Sequence, residues 1–208
     1  MKPVIVIGAG GHAMVLVDCL RLNKVNIIGA LDKCASPEAV TDSLHIIGDD
    51  SAIFDYSCDA VELVNGIGSV GDTGLRTNIF KKFKKLGYCF RSVIHPNAIV
   101  AEDCVLGEGV QVMAGAIINP GTHIAADTIV NAGAVIDHEC KIGRHVHIAP
   151  GVTISGGVHV GDGSHIGTGA TIIQGVTIGE QALIGAGAVV IHDVASASKV
   201  VGVPAKVL

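Results

Sequence analysis

The chain has no tryptophan, and only two tyrosines and four phenylalanines in 208 residues. Aromatic rings usually supply much of the buried area of a packed core. A core built almost wholly from Val, Ile, Ala and Gly implies tight, regular stacking instead. Charge is also scarce: 16% of residues are charged and the net charge is −5, which provides no broad basic surface for nucleic acid or an anionic membrane. The one basic run, Lys81, Lys82, Lys84 and Lys85, sits in a helical pattern with Ile79, Phe83 and Leu86 on its other face, and reads as a solvated helix face. No apolar run approaches the roughly 18 residues of a membrane span. The apolar start at Met1–Ile7 is short and enters a Gly-rich turn rather than a cleavage site, so no signal peptide is expected. The six cysteines (Cys19, Cys34, Cys58, Cys89, Cys104 and Cys140) form no CxxC pair, and fit reduced thiols in a cytoplasmic protein.

Glycine, by contrast, is plentiful at 28 residues, and the chain uses it in two different ways. Up to about residue 90, strands alternate with helices. Val4–Ile7 reads as a buried strand, Gly8-Ala9-Gly10-Gly11 as a tight turn, and His12–Leu22 as a helix. Val25–Leu31 and Ala60–Val64 read as further strands, and Leu75–Leu86 as a second helix. This order predicts a parallel sheet with right-handed crossovers, about half of a dinucleotide-binding fold.

From Ile94 an aliphatic residue recurs every sixth position without a miss: Ile94, Val100, Leu106, Val112, Ile118, Ile124, Val130, Ile136, Ile142, Ile148, Ile154, Val160, Ile166, Ile172, Ile178, Ile184 and Val190. Four residues after each comes a small or short side chain, from Ala98 to Val194. Such a repeat signals a parallel β-helix. Three hexads make one triangular coil of 18 residues, with the aliphatic residue inward and glycines such as Gly109, Gly133 and Gly157 beside the corners. The predicted fold is therefore an α/β N-terminal Rossmann-like half-domain over residues 1–90, followed by a left-handed parallel β-helix with a C-terminal tail over 91–208.

Within the repeat, one strand is decorated unusually: Val135-Ile136-Asp137-His138-Glu139-Cys140. A neutral imidazole is a suitable base near pH 7, and a carboxylate on its other nitrogen fixes the tautomer. Asp137 and Glu139 flank His138, and strand alternation does not choose between them. Cys140 falls in the small-residue slot and reads as structural. His147 and His165 are 18 residues apart and should stack in adjacent coils. Gly156 lies one coil above His138, where its N–H suits a developing oxyanion. In the first half, Gly8-x-Gly10-x-x-Ala13 with Asp32 beyond it formally matches the dinucleotide fingerprint. Half a domain lacks the second mononucleotide unit, so a single nucleotide whose phosphates meet a helix N-terminus fits better than NAD.

Four segments together resemble the NeuD/PglD-type sugar acetyltransferases of the hexapeptide-repeat acyltransferase superfamily. They are Ile5-Val6-Ile7-Gly8-Ala9-Gly10-Gly11-His12, Ser92-Val93-Ile94-His95-Pro96-Asn97-Ala98, the strand around His138, and Val201-Gly202-Val203-Pro204-Ala205-Lys206. The resemblance implies acetyl-CoA-dependent N-acetylation of a nucleotide-linked amino sugar of the UDP-4-amino type, in glycan biosynthesis. Direct transfer would use His138 as general base and Glu139 to raise its basicity. It implies acetyl-CoA contacts at His147, Gly156, Thr168, Ala186 and Lys206. A UDP-sugar would lie against Gly10, Gly11 and His12, with Asp32, Lys33 and Gly68 nearby. Where the family often carries an acidic pair, this chain has Asp32-Lys33. The resemblance also implies a homotrimer. Alternatives are O-acetylation of sialic acid and a non-catalytic sugar-nucleotide binding protein. The β-helix carbonic anhydrases hold zinc with a His-x4-His pair. No two of the ten histidines here are five apart, so no metal is expected.

Overall fold

The structure, a computed structural model, describes residues 2–33 and 44–208. Cys34 lies outside the described residues, and the other five cysteines are free thiols.

The first unit is a four-stranded parallel sheet. Its strands are β1 (Val4–Ile7), β2 (Ile27–Leu31), β3 (Ile46–Gly48) and β4 (Glu62–Asn65), in the order β3-β2-β1-β4. Helix α1 (Gly11–Leu22) follows β1, a short 3₁₀ helix (Asp50–Asp55) follows β3, and α2 (Gly74–Lys85) follows β4. Strand β1 is buried at every residue, as expected of a central strand covered on both faces. Strand β3 was not anticipated: it has three residues, all half-buried at the sheet edge. The helix α2 also turns differently from the expected pattern. Its buried residues are Arg76, Phe80 and Phe83, while Leu86 is exposed. Part of the lysine run is paired on the surface: Lys82 with Asp50 and Lys84 with Glu108.

The second unit is the β-helix. Its seventeen two-residue strands, β5 (Val93–Ile94) to β21 (Val189–Val190), each end on a residue of the six-residue series. They stack into three parallel faces. The first is β5-β8-β11-β14-β17-β20, the second β6-β9-β12-β15-β18-β21, and the third β7-β10-β13-β16-β19. Pairing runs in 18-residue register, for example Ile129 with His147 and Val135 with Thr153. The aliphatic residues and their small partners form one continuous core from Val110 to Val200. Only the first coil is open: Ile94 is exposed and Val100 and Leu106 half-buried, because no coil lies beneath them. The strands β22 (Lys199–Val201) and β23 (Lys206–Val207) extend the first face at the far end, and β23 runs antiparallel.

At each corner from Gly109 to Gly187 the third residue after the aliphatic one adopts the left-handed conformation. Glycine fills most of these slots, as at Gly133 and Gly157 with φ +66°, because a Cβ is disfavoured there. Asp127, Glu139, His145 and Gln181 take the same slot with φ +54° to +58°. Each accepts a cost that glycine would avoid.

The two units share a core. Val93, Met113 and Ile129 of the first face pack with Leu16, Val17 and Leu20 of α1. The N-terminal unit therefore covers the first face and its corner with the third, and the opposite corner, between the second and third faces, stays clear of it.

Candidate active site

His138 sits on that clear corner, in the turn between β12 (Val135–Ile136) and β13 (Lys141–Ile142). Its side chain is 58% exposed. The geometry settles what strand alternation left open. His138 Nδ1 lies 3.1 Å from Glu139 Oε2, whereas His138 Nε2 is 4.0 Å from Asp137 Oδ2, beyond hydrogen-bond range. The left-handed backbone at Glu139, φ +58°, turns the carboxylate back beside the ring. Asp137 serves the turn: its Oδ1 accepts from the His138 backbone N–H at 2.8 Å and from Asn119 Nδ2 at 2.9 Å. The Asn119 bond, then that backbone N–H, hold its carboxyl below the usual range. With Nδ1–H donated to Glu139, the Nε2 lone pair is free to accept a proton.

Gly156 forms the roof over this ring. A Cβ there would stand 2.6 Å from both Cε1 and Nε2 of His138. Its backbone is not left-handed, so glycine is present for space rather than for conformation. Cys140 is fully buried beneath, with its thiol donating to the Ser155 carbonyl at 3.3 Å. Burial pushes that thiol up, away from the reactive thiolate.

The other expected residues fall elsewhere on the prism. His147 and His165 pair across β14 and β17, and their rings meet edge to face at 4.9 Å. Both begin their hexads on the outside of the β-helix, yet both are buried, because the N-terminal unit covers the first face. His147 Nδ1 lies 2.9 Å from the Ser69 carbonyl, to which it donates, and its Nε2 accepts from Asn131 Nδ2 at 3.2 Å. These two partners fix a neutral tautomer. Thr168 and Ala186 are exposed one coil apart on the corner between the first and second faces, joined through the Gly187 N–H to Thr168 carbonyl bond. Lys206 is exposed on β23.

Around the start of α1 the glycines border open space. A Cβ at Gly10 or Gly11 meets nothing within 4 Å, and neither residue is left-handed. The fold of the chain alone therefore does not require glycine at either place. Gly68 packs on His12, and the His12 imidazole turns inward, its Nε2 donating to Gln111 Oε1 at 2.8 Å. Asp32 Oδ2 accepts the Ala9 N–H at 2.7 Å and closes the glycine-rich turn. Lys33 reaches Asp50 at 3.3 Å.

Burial holds His12 and His147 each down to about 4, from 6.5. Between those values the unfolded chain binds protons that the folded chain refuses. Stability is then complete above about pH 6.5 and falls as the pH drops towards 4. For His147 the loss from pH 7 to pH 5 is about 2 kcal/mol. Urea midpoints measured at pH 7, 6 and 5 are expected to fall steadily, and less steeply in His147→Asn. Equal midpoints at pH 7 and pH 5 would contradict neutral burial.

Sequence reasoning missed the charged seam under the first unit: Arg76, Asp127 and His145. Arg76 pairs with Asp127 at 2.8 Å, and Asp127 accepts from His145 Nδ1 at 2.9 Å. The available signal was the corner slot, where Asp127 and His145 replace glycine. No group of three or more metal-binding side chains forms among the described residues. No helix among them is long and apolar enough to cross a membrane.

Two family models match the chain. The PglD N-terminal domain covers residues 3–83. The bacterial transferase hexapeptide model, six repeats, covers 103–138, 121–156, 139–174 and 157–192. No curated protein matches by sequence. Among solved structures, PerB from Caulobacter crescentus in complex with CoA and GDP-perosamine is 36% identical, over 100% of this chain and 98% of that one, with a TM-score of 0.91. The acetyltransferase domain of PglB from Neisseria gonorrhoeae, also solved with acetyl coenzyme A, is 32% identical. The alignment covers 100% of both chains with a TM-score of 0.92. WeeI from Acinetobacter baumannii is 25% identical over 100% of both chains, with a TM-score of 0.83. An N-terminal PglD unit joined to an unbroken hexapeptide β-helix, matched end to end at this identity, places the chain in the NeuD/PglD-type family of acetyl-CoA-dependent sugar acetyltransferases.

Proposed function

We propose that this protein transfers an acetyl group from acetyl-CoA to the amine of a nucleotide-linked 4-amino sugar, with His138 as general base. The observation that carries this reading is the His138–Glu139 pair beneath Gly156. Glu139 holds Nδ1–H and leaves Nε2 to take the proton released as the amine adds to the thioester carbonyl. The Gly156 N–H faces the negative charge that develops on the carbonyl oxygen. His138 then returns its proton to the departing CoA sulfur, so amide and free thiol form with no net proton change. A side chain suited to an acyl-enzyme is not needed, and Cys140 is buried with its thiol protonated.

The open N-terminus of α1 at Gly10 and Gly11 suits the diphosphate, with Asp32, Lys33, Gly68 and His12 around it. Thr168, Ala186 and Lys206, all exposed, are assigned to acetyl-CoA, while His147, buried with both ring nitrogens engaged, offers it no free polar atom. In one chain these groups lie on different faces, and the N-terminal unit is on the side away from His138. A homotrimer, in which the sugar loop of one subunit serves His138 of the next, accounts for that separation. It also accounts for a site whose parts no single chain brings together.

A UDP carrier is our first expectation. A GDP carrier is favoured by one observation, the GDP-perosamine bound by PerB at 36% identity. Thiol release from acetyl-CoA should be followed with a UDP-4-amino sugar, GDP-perosamine, CMP-sialic acid and free sialic acid as acceptors. Turnover is expected only with a nucleotide-linked amino sugar. Turnover confined to sialic acid, or to none of the four, overturns the reading.

A further inference from the structure

Between the two units lies a set of buried charges that acetyl transfer does not use. Arg76, on α2, is 1% exposed, and Asp127, on the third-to-first corner, is 0% exposed. The guanidinium reaches in two directions. Its Nη1 donates to the carbonyls of Asn65 at 3.0 Å and Ile67 at 2.8 Å. Its Nε donates to the Asp127 carbonyl at 3.2 Å, and Nη2 pairs with Asp127 Oδ1 at 2.8 Å. Asn65 closes the set by donating from Nδ2 to Asp127 Oδ1 at 3.0 Å, and its carbonyl also accepts from Gln111 Nε2 at 2.7 Å.

Stability alone accounts poorly for this arrangement. A buried ion pair is often no better than well-packed apolar side chains of the same volume, because both charges must leave water. Asp127 also stands in a left-handed slot, φ +58°, where most of the repeats carry glycine. Two local costs meet at one point, and such strain marks a positional demand. The demand lies in what Arg76 holds. Residues 65–68 run from the end of β4 past the first turn of α1. A Cβ at Gly66 would stand 2.7 Å from the Ile7 carbonyl oxygen and 2.9 Å from Ala13 Cβ, and one at Gly68 would stand 3.2 Å from His12 Cβ. The loop is therefore seated directly against the helix end that Gly10 and Gly11 leave open. Without Arg76 the Ile67 carbonyl would lose this donor, and the Asn65 carbonyl would keep Gln111 Nε2.

We propose that Arg76, braced by Asp127, is a positioning residue for the nucleotide sugar. It holds the 65–68 loop in register with α1 and ties that loop to the β-helix coil, so that the sugar site and the coil move as one body. The inference rests on the nucleotide-sugar reading above. A planar guanidinium is needed because three carbonyls and a carboxylate lie in diverging directions, which one ammonium cannot serve.

Arg76→Met removes the guanidinium and leaves the buried Asp127 with only His145 and Asn65 as hydrogen-bond partners, and it is expected to lower the urea midpoint. The double variant Arg76→Met/Asp127→Asn buries no charge at either position and should regain most of that loss. The double variant is expected to show a KM for the nucleotide sugar raised about tenfold or more, with the KM for acetyl-CoA within about twofold of wild type. Amide hydrogen exchange at Ile67–Ser69 should quicken while the coil amides stay protected. A double variant with restored stability and a wild-type KM for the sugar overturns the proposal, since Arg76 would then be structural only. If the wild-type protein turns over neither a UDP- nor a GDP-linked amino sugar, the functional reading fails. The loop exchange then still decides the brace: unchanged exchange at Ile67–Ser69 in the double variant overturns it whatever the substrate.

Discussion

Replacing His138 with alanine is expected to lower kcat by about 10²–10⁴-fold, the range general-base catalysis usually supplies. Stability should change little. The side chain is more than half exposed, and surface substitutions of this kind usually stay within about 0.5 kcal/mol. The turn itself depends on the backbone N–H of His138, which Asp137 holds in either variant. The loss should appear in kcat more than in either KM, because His138 acts on a proton that moves only as the amine attacks. Glu139→Gln keeps the shape of the partner and removes its charge, so it should give a smaller fall in the same direction. Steady-state kinetics with saturating acetyl-CoA, alongside thermal unfolding, test this. A variant retaining more than about a tenth of wild-type kcat would remove His138 from the role of base.

The second large effect is expected at a residue with no side chain. Gly156→Ala places a methyl group 2.6 Å from His138 Cε1 and Nε2, well inside van der Waals contact. The Gly156 backbone is not left-handed, so alanine fits the local conformation and the coil should fold normally. The imidazole must yield, being the more mobile partner. Yielding carries Nδ1 away from Glu139 or Nε2 away from the amine. A displacement of about 1 Å at a reacting group can cost on the order of 10²-fold in rate, and that is the fall in kcat expected. The variant keeps the Gly156 N–H, so a loss with intact folding reports the space above His138 and not removal of an oxyanion donor. Full activity in a correctly folded Gly156→Ala protein would show that the ring over Gly156 is not the working position of His138.

How far the site could be read in advance follows from which contacts are periodic. His138 stood out because it breaks a run of small and apolar residues, and Gly156 was placed above it by the 18-residue coil. The pairing of His147 with His165 followed from the same ruler. Their burial did not, because it comes from the N-terminal unit and not from the repeat. The choice between Asp137 and Glu139 needed the corner conformation: a flat strand would send neighbours to opposite faces, while the left-handed turn at Glu139 brings its carboxylate back to the ring. The α2 pattern misled for a physical reason. Arginine is rarely buried without a partner, so nothing in the α2 pattern marks Arg76 as inward, and its partner Asp127 is 51 residues away. Strand β3 was missed because three half-buried edge residues carry no alternation.

By itself, the sequence determined the β-helix, its coil length, its inward ladder and the place of His138 upon it. Each of these depends on a residue meeting its own equivalent one coil away, a relation that a strict six-residue period states outright. The tertiary structure alone decided which face the N-terminal unit covers, which carboxylate His138 holds, and that Arg76 ties the 65–68 loop to the coil. Those contacts join segments of unlike period, so no regularity along the chain encodes them, and only the packed molecule brings their partners within hydrogen-bond reach.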